Sequence, residues 1–322
     1  MNHVSVVGGG AWGIALATAA ARGGADVLLH TRREGEAIAG VRRTRSLAEA
    51  AKHARLVLLT VPSAHVREVG RALGAHLDGH HLLVHGVRGL AAVPSRTPSF
   101  EGEDLVTLSS VLREETPVRR FGALGGPVLT GELSRGEPCV MVVASHYTEV
   151  LAAVRSAFAG SFMRIYTTPD LVGLEWASAL TGILAVAIGF ARGAGVGAGL
   201  VSAFAIRGVH EAARIAVAAG AEERTFTGLG GFGDLLAAIG EEDRPEVRLG
   251  LALARGEEPA SAIAALGERI EALSLAPRVA EFAARHGVVA PILDAVAHGL
   301  FAQKNAPEII STLMTAPMTG GA

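Results

Sequence analysis

Three features of the chain predict an α/β fold made of an N-terminal Rossmann domain and a C-terminal all-helical domain. Residues 8 to 13 read GGGAWG, a G-x-G-x-x-G loop set between a strand-like and a helix-like run. Short β-branched runs then alternate with alanine-rich stretches as far as residue 168. Beyond Pro169 only long alanine-rich and leucine-rich stretches follow. The expected boundaries are 1-170 for the dinucleotide-binding domain and 171-322 for the helical domain, a division that suits 322 residues of which half are apolar.

In chain order, HVSVV (3 to 7) is the first strand, ALATAAARGG (15 to 24) the first helix and ADVLLHT (25 to 31) the second strand, completing one βαβ unit. Ser46 to Glu49 reads S-L-A-E, a capping box that opens the next helix, and RLVLLTVP (55 to 62) supplies another strand. Ser63 is expected to cap the helix after it. Further strands are expected at HHLLVHGV (80 to 87), FGALGGP (121 to 127), CVMVVAS (139 to 145) and MRIYTT (163 to 168), in one parallel sheet. The segment WASALTGILAVAIGF, from Trp176 to Phe190, is apolar on every helical face. At about 15 residues it is shorter than the roughly 18 to 20 that cross a bilayer, so a buried central helix is expected and a membrane span is not.

Charge and composition narrow the partners. With 29 basic and 31 acidic residues, the formal net charge of -2 gives no bulk attraction for nucleic acid or an anionic membrane, so the expected partner is a small molecule. The single cysteine, Cys139, has no internal disulfide partner and is expected in the core. The first residues, MNHVSVVGGG, lack the basic region and long apolar stretch of a signal peptide, which points to a cytoplasmic protein. No histidine and cysteine spacing suggests a metal site.

The glycine loop carries the first chemical argument. Gly8 permits the tight turn, Gly10 leaves room where the backbone approaches a pyrophosphate, and Gly13 lets the helix pack closely on the strand. The helix N-terminus adds amide donors. After the second strand the chain reads LLHTRREGE, with no acid at the strand end to hold the ribose hydroxyls of NAD. Arg32 and Arg33 offer guanidinium donors to a 2′-phosphate instead, unless they only solvate a loop. The cofactor is accordingly NADP or NAD, and the arginines favour NADP.

The GGGAWG loop with its tryptophan, VPS at 61 to 63, RGL at 88 to 90, GGP at 125 to 127 and the spacing to Pro138 resemble the bacterial NAD(P)-dependent glycerol-3-phosphate dehydrogenases. In the second half RIYTTPDLVGLE (164 to 175), IRGVHEAAR (206 to 214) and TFTGLGGFGDL (225 to 235) follow in that family's order, so the resemblance covers most of the chain. It implies a Rossmann domain, a helical substrate domain, a homodimer and the reversible reduction of dihydroxyacetone phosphate by NADH or NADPH. It further implies cofactor contacts from Gly8, Gly10, Ala11, Trp12, Gly13, Pro62 and Glu271. Substrate contacts fall to Arg88, Gly126 and Arg244, and catalytic roles to the positions of Arg88, Thr181 and Asp234.

Several of those positions depart from the family pattern. The lysine of its K-G-L motif is Arg88, which keeps the charge; the lysine of its A-L-K-N stretch is Thr181, followed by Gly182, which loses it. Asp234 of G-D-L is kept, but the threonine four residues later is Ala238, and the family's G-D-N is Gly197, Ala198, Gly199. The arginine-asparagine pair that grips phosphate is replaced by EEDRPEVR (241 to 248), and a stretch carrying Y-L-P after the second strand is absent. Ketone reduction needs hydride delivery and a donor or fixed charge at the developing alkoxide. A threonine hydroxyl donates without charge, and losing one such donor costs about a hundredfold to a thousandfold in rate. A phosphate would need a cationic clamp, for which Arg88, Arg207 and Arg244 are candidates; Arg207 and Glu211, four apart, are equally suited to pairing with each other. His85 and His210 are candidate proton donors. Three readings stay open: the family reaction, a dehydrogenase of the same fold with a changed and unphosphorylated substrate, and a catalytically dead dinucleotide-binding protein.

Overall fold

The computed structural model describes residues 2–95, 102–241, 244–267, 270–300, 308, 309 and 311. The chain divides into two compact units, the first made of Met1–Ala91 and Val106–Glu175, the second of Ala92–Leu105 and Trp176–Ala322.

The strands are β1 (His3–Val7), β2 (Asp26–His30), β3 (Val41–Thr44), β4 (Leu56–Leu59), β5 (Leu82–His85), β6 (Ala91–Pro94), β7 (Glu103–Val106), β8 (Arg120–Gly125), β9 (Cys139–Ala144) and β10 (Met163–Thr168). Eight form one sheet in the order β10-β9-β8-β5-β4-β1-β2-β3, and β6 pairs with β7. The sheet is parallel except between β8 and β9, which run antiparallel, so the all-parallel expectation is corrected at that step. Neighbouring residues of the central strands feed opposite faces. Leu56, Leu58, Leu82 and Val84 pack into one core, and Val57, Leu59 and Leu83 into the other. That is the signature of a sheet buried on both sides.

The helices of the first unit are α1 (Ala11–Arg22), α2 (Leu47–His53), α3 (Val66–Gly74), α4 (Leu108–Glu115), α5 (Thr130–Arg135), α6 (Thr148–Ala157) and the start of α7 (Leu171–Gly193). Half of the capping box at α2 forms as expected, with Ser46 Oγ accepting the Glu49 N–H. The Glu49 carboxylate accepts the Thr44 hydroxyl instead of the Ser46 N–H, which goes to Thr44 Oγ1. Ser63 does not open α3. It begins a single 3-10 turn, Ser63–His65, whose N-cap position is Pro62, and α3 starts at Val66. Strand β3, VRRT, escapes the sequence reading because an edge strand needs no apolar run. Its Arg42 instead donates to Asp26 of β2 at 3.1 Å.

The second unit holds the rest of α7, then α8 (Ala198–Ala218), α9 (Glu223–Thr227), α10 (Asp234–Gly240), α11 (Pro245–Ala254), α12 (Pro259–Leu266), α13 (Ala272–Arg285) and α14 (Pro291–Asp294). Helix α7 overturns the length argument made from its apolar run. It has 23 residues, long enough to cross a bilayer, and what marks it as a core helix is that 89% of its most apolar window is buried in protein. The segment Ala92–Leu105 is tied to this unit by Arg278 on Glu103 (3.1 Å) and by Arg285 on Asp104 (2.5 Å).

Candidate active site

The turn from β1 into α1 consists of Gly8, Gly9 and Gly10. At Gly8, where φ is +128°, a Cβ would lie 2.6 Å from Thr60 Oγ1, and at Gly13 it would lie 1.9 Å from the Gly8 carbonyl oxygen. Both glycines are therefore required by the protein's own packing. Gly10 is different: its φ is -78°, open to any residue, and a Cβ there meets nothing within 4 Å among the described residues. That space is open to a bound molecule. The loop also lies where the strand order reverses between β4 and β1, the usual ligand crevice of such sheets. Helix α1 starts there with no side-chain cap and no acidic residue in its first turn, so its N–H groups and positive end are offered to an anion. A dinucleotide pyrophosphate fits this cradle. Ala11, Trp12 and Gly13 form its first turn.

Beyond β2, Arg32 and Arg33 are both exposed, and among the described residues neither guanidinium has a carboxylate partner in an ion pair. Arg88 sits half-buried in the loop after β5, and Gly89 beside it has φ +154°. Trp12 reaches this loop: a Cβ on Gly86 would come within 2.6 Å of the indole Nε1. After β8, Gly126 turns with φ +88° under Val142, whose Cγ2 lies 2.9 Å from where a Cβ would stand.

In the second unit Thr181 is buried on α7, as is Asp234 at the start of α10. Asp234 does not cap α10, whose N-cap position is Gly233; it faces Arg244, with 3.8 Å between Oδ1 and the guanidinium NH1. Arg244 also donates to Glu246 at 3.1 Å. Glu246 is the residue that sequence reasoning missed: its Oε1 lies 3.7 Å from the position of a Cβ on Gly182, next to Thr181. Ala238, in place of the family's threonine, is buried with Ala185 and Val247 in an apolar cluster. Glu211 does not pair with Arg207. Its Oε2 accepts the N–H groups of Ile292 (2.8 Å) and Leu293 (3.2 Å) instead, and burial pushes its carboxyl up to about 7. Gly197 is the N-cap of α8, and Glu271 stands at the N-cap of α13. His210 is exposed, whereas His85 is buried and bonded to Glu175. A lone acid at the mouth of an apolar helix was the available signal for that pair, since a buried carboxylate must find donors.

Cys139 is in the core, and burial pushes its thiol up. His3, Asp26 and His53 bring three possible metal-donor atoms within 4.8 Å of one another. Arg42 donates to both Asp26 oxygens (3.1 and 3.3 Å), taking the role a cation would have, and holds that carboxyl below its usual range.

Two family models match, the N-terminal part of NAD-dependent glycerol-3-phosphate dehydrogenase over residues 37–151 and its C-terminal part over residues 170–311. The glycine loop lies outside both spans, so its reading is independent of them. The glycerol-3-phosphate dehydrogenase (NAD(P)+) of Moorella thermoacetica is 34% identical over 99% of this chain and 97% of its own. That of Fusobacterium nucleatum is 29% identical over 98% of this chain and 97% of its own. The crystal structure of glycerol-3-phosphate dehydrogenase from Coxiella burnetii shares the fold with a TM-score of 0.85 at 24% identity, covering 98% of this chain and 99% of that one. With its dinucleotide cradle, its helical second unit and full-length relatives of one kind, the chain belongs to the NAD(P)-dependent glycerol-3-phosphate dehydrogenase family.

Proposed function

We propose that the chain is an NAD(P)-dependent oxidoreductase that interconverts dihydroxyacetone phosphate, or a related small ketone, with its secondary alcohol. The observation that carries this reading is the contrast within the glycine loop, where Gly8 and Gly13 are locked by packing while Gly10 faces open space. The nicotinamide, when bound, supplies or accepts the hydride. Gly10, Ala11, Trp12 and Gly13 hold its pyrophosphate at the start of α1, and Arg32 and Arg33 favour the 2′-phosphate of NADP. Arg88 contributes the fixed charge that steadies a developing alkoxide, Thr181 a neutral hydroxyl donor, and Asp234 the orientation of Arg244. Pro62 and Glu271 complete the cofactor contacts, and Gly126 and Arg244 the substrate contacts, on the strength of the family resemblance. The same resemblance supports a homodimer, and the expected place of action is the cytoplasm.

A second reading has an observation of its own. Arg244 is held by two carboxylates, Asp234 and Glu246, while Thr181 brings no charge where the resembling enzymes have a lysine. A phosphate dianion gains little from a guanidinium already shared in this way, which favours an unphosphorylated ketone. Purified protein assayed with NADPH and NADH against dihydroxyacetone phosphate, dihydroxyacetone and small keto acids separates the two. Turnover of any of them supports the general reading, and a kcat/KM higher for dihydroxyacetone than for its phosphate selects the second.

A further inference from the structure

At the end of β5 lies a buried polar network that the proposed chemistry does not use. His85 is 1% exposed and Glu175 2% exposed, with 3.0 Å between His85 Nε2 and Glu175 Oε1. The same carboxylate accepts the Ser109 N–H at 2.8 Å and the Ser109 hydroxyl at 2.6 Å. His85 Nδ1 accepts the N–H of Val87 at 3.4 Å. An acceptor at Nδ1 fixes the proton on Nε2, so the ring donates to Glu175 and receives from the chain two residues ahead. Every group bonded to Glu175 among the described residues is a donor.

We propose that His85 is a positioning residue: braced by Glu175, it fixes the loop Gly86–Leu90 and so the place of Arg88. This rests on the reading that Arg88 takes part in the reaction. Among the described residues, three features bear on the loop besides the Gly86 N–H, which donates to the Leu59 carbonyl oxygen at 2.9 Å. The His85–Val87 bond holds its start, Gly86 presses against the indole of Trp12, and Gly89 adopts a backbone conformation that side chains resist. Arg88 lies between the second and third of these features, and its flanking residues Val87 and Leu90 are each 7% exposed. Both ring nitrogens of any buried histidine need partners; here one partner is the backbone of the loop itself, at Val87. An apolar ring there would leave the Glu175 carboxylate one donor short and the Val87 N–H without its ring acceptor.

The test is a double-mutant cycle with the full chain. His85→Phe removes both ring hydrogen bonds, Glu175→Gln removes the charge, and His85→Gln keeps an amide donor toward Glu175. Each is made with and without Arg88→Ala. In the native background His85→Phe and Glu175→Gln should lower kcat about tenfold with KM for the nicotinamide unchanged within about twofold, and His85→Gln should recover part of the loss. In the Arg88→Ala background the same changes should alter kcat by less than about twofold. Equal losses in both backgrounds, or no loss in either, overturn the proposal. If the native chain reduces no ketone, it is the functional reading that has failed, and amide exchange then decides. Exchange at Arg88 and Gly89 should rise about tenfold or more in His85→Phe while β4 stays protected, and unchanged exchange at those two amides overturns the proposal.

Discussion

Replacing Gly10 with valine should separate cofactor binding from folding. The new side chain enters space in which no atom of the described residues lies within 4 Å of the Cβ, and the φ of -78° suits valine, so no clash with them forms. What is lost to stability is the preference for glycine at a helix N-cap, about 1 kcal/mol. For a unit of this size that lowers Tm by about 2–4 °C. The branched side chain occupies the approach of a pyrophosphate, and losing one charge-assisted hydrogen bond costs about 1.5–3 kcal/mol, or about tenfold to a hundredfold in Kd. Gly13→Ala should behave in the opposite way. Its Cβ would stand 1.9 Å from the Gly8 carbonyl oxygen, a backbone atom that cannot rotate aside, so the fold itself loses at least about 1–3 kcal/mol. Isothermal titration with NADPH and thermal unfolding read the two effects separately. A Gly10→Val protein that folds and binds NADPH with native affinity would refute the reasoning, as would a Gly13→Ala protein of native stability.

Three further outcomes are expected. Arg32→Ala or Arg33→Ala should weaken NADPH binding by about 1.5–3 kcal/mol while leaving NADH nearly unchanged, and native protein with equal affinity for both would remove the basis for that preference. Thr181→Lys, alone or with Gly182→Asn, should raise turnover of dihydroxyacetone phosphate if only a charged donor has been lost, each tenfold corresponding to about 1.4 kcal/mol of barrier. No gain in a folded variant would point to an altered substrate pocket, in line with the carboxylates around Arg244. Burial raises the Glu211 carboxyl from 4.5 to about 7, partly opposed by the Leu293 and Ile292 N–H groups and by Arg214 and Arg207. The folded state therefore holds this proton more tightly than the unfolded chain, and stability falls as pH rises from 4.5 through 7. Glu211→Gln should be more stable than native protein at pH 8 by up to about 3 kcal/mol, with the gap closing toward pH 5; a gap independent of pH contradicts this.

The central strands β1, β4 and β5 were legible because apolar runs buried on both faces have few alternative uses, and α1 and β2 followed from one glycine loop. The missed strands share a reason. β3 is an edge held by arginine contacts, and β6 and β7 form a small ladder anchored by Arg278 and Arg285 from far along the chain. Neither device leaves a hydrophobic pattern. The antiparallel step between β8 and β9 was invisible for a similar reason, since periodicity carries no strand direction. In the site, glycine identity alone announced the cradle. That Glu246 faces Gly182 and that Glu175 braces His85 depend on side chains brought together across long separations in sequence, which no local spacing encodes.

The central claim, that this chain carries a working nicotinamide-dependent ketone reductase, is tested most directly by following nicotinamide absorbance while purified native protein is offered NADPH or NADH with dihydroxyacetone phosphate, dihydroxyacetone and small keto acids. The expected result is oxidation of NADPH, faster than of NADH, with at least one ketone, with kcat/KM for NADPH lowered about tenfold to a hundredfold in Gly10→Val and turnover strongly reduced in Arg88→Ala. Tight NADPH binding with no oxidation by any ketone would contradict the claim and leave a dinucleotide-binding protein without the reaction.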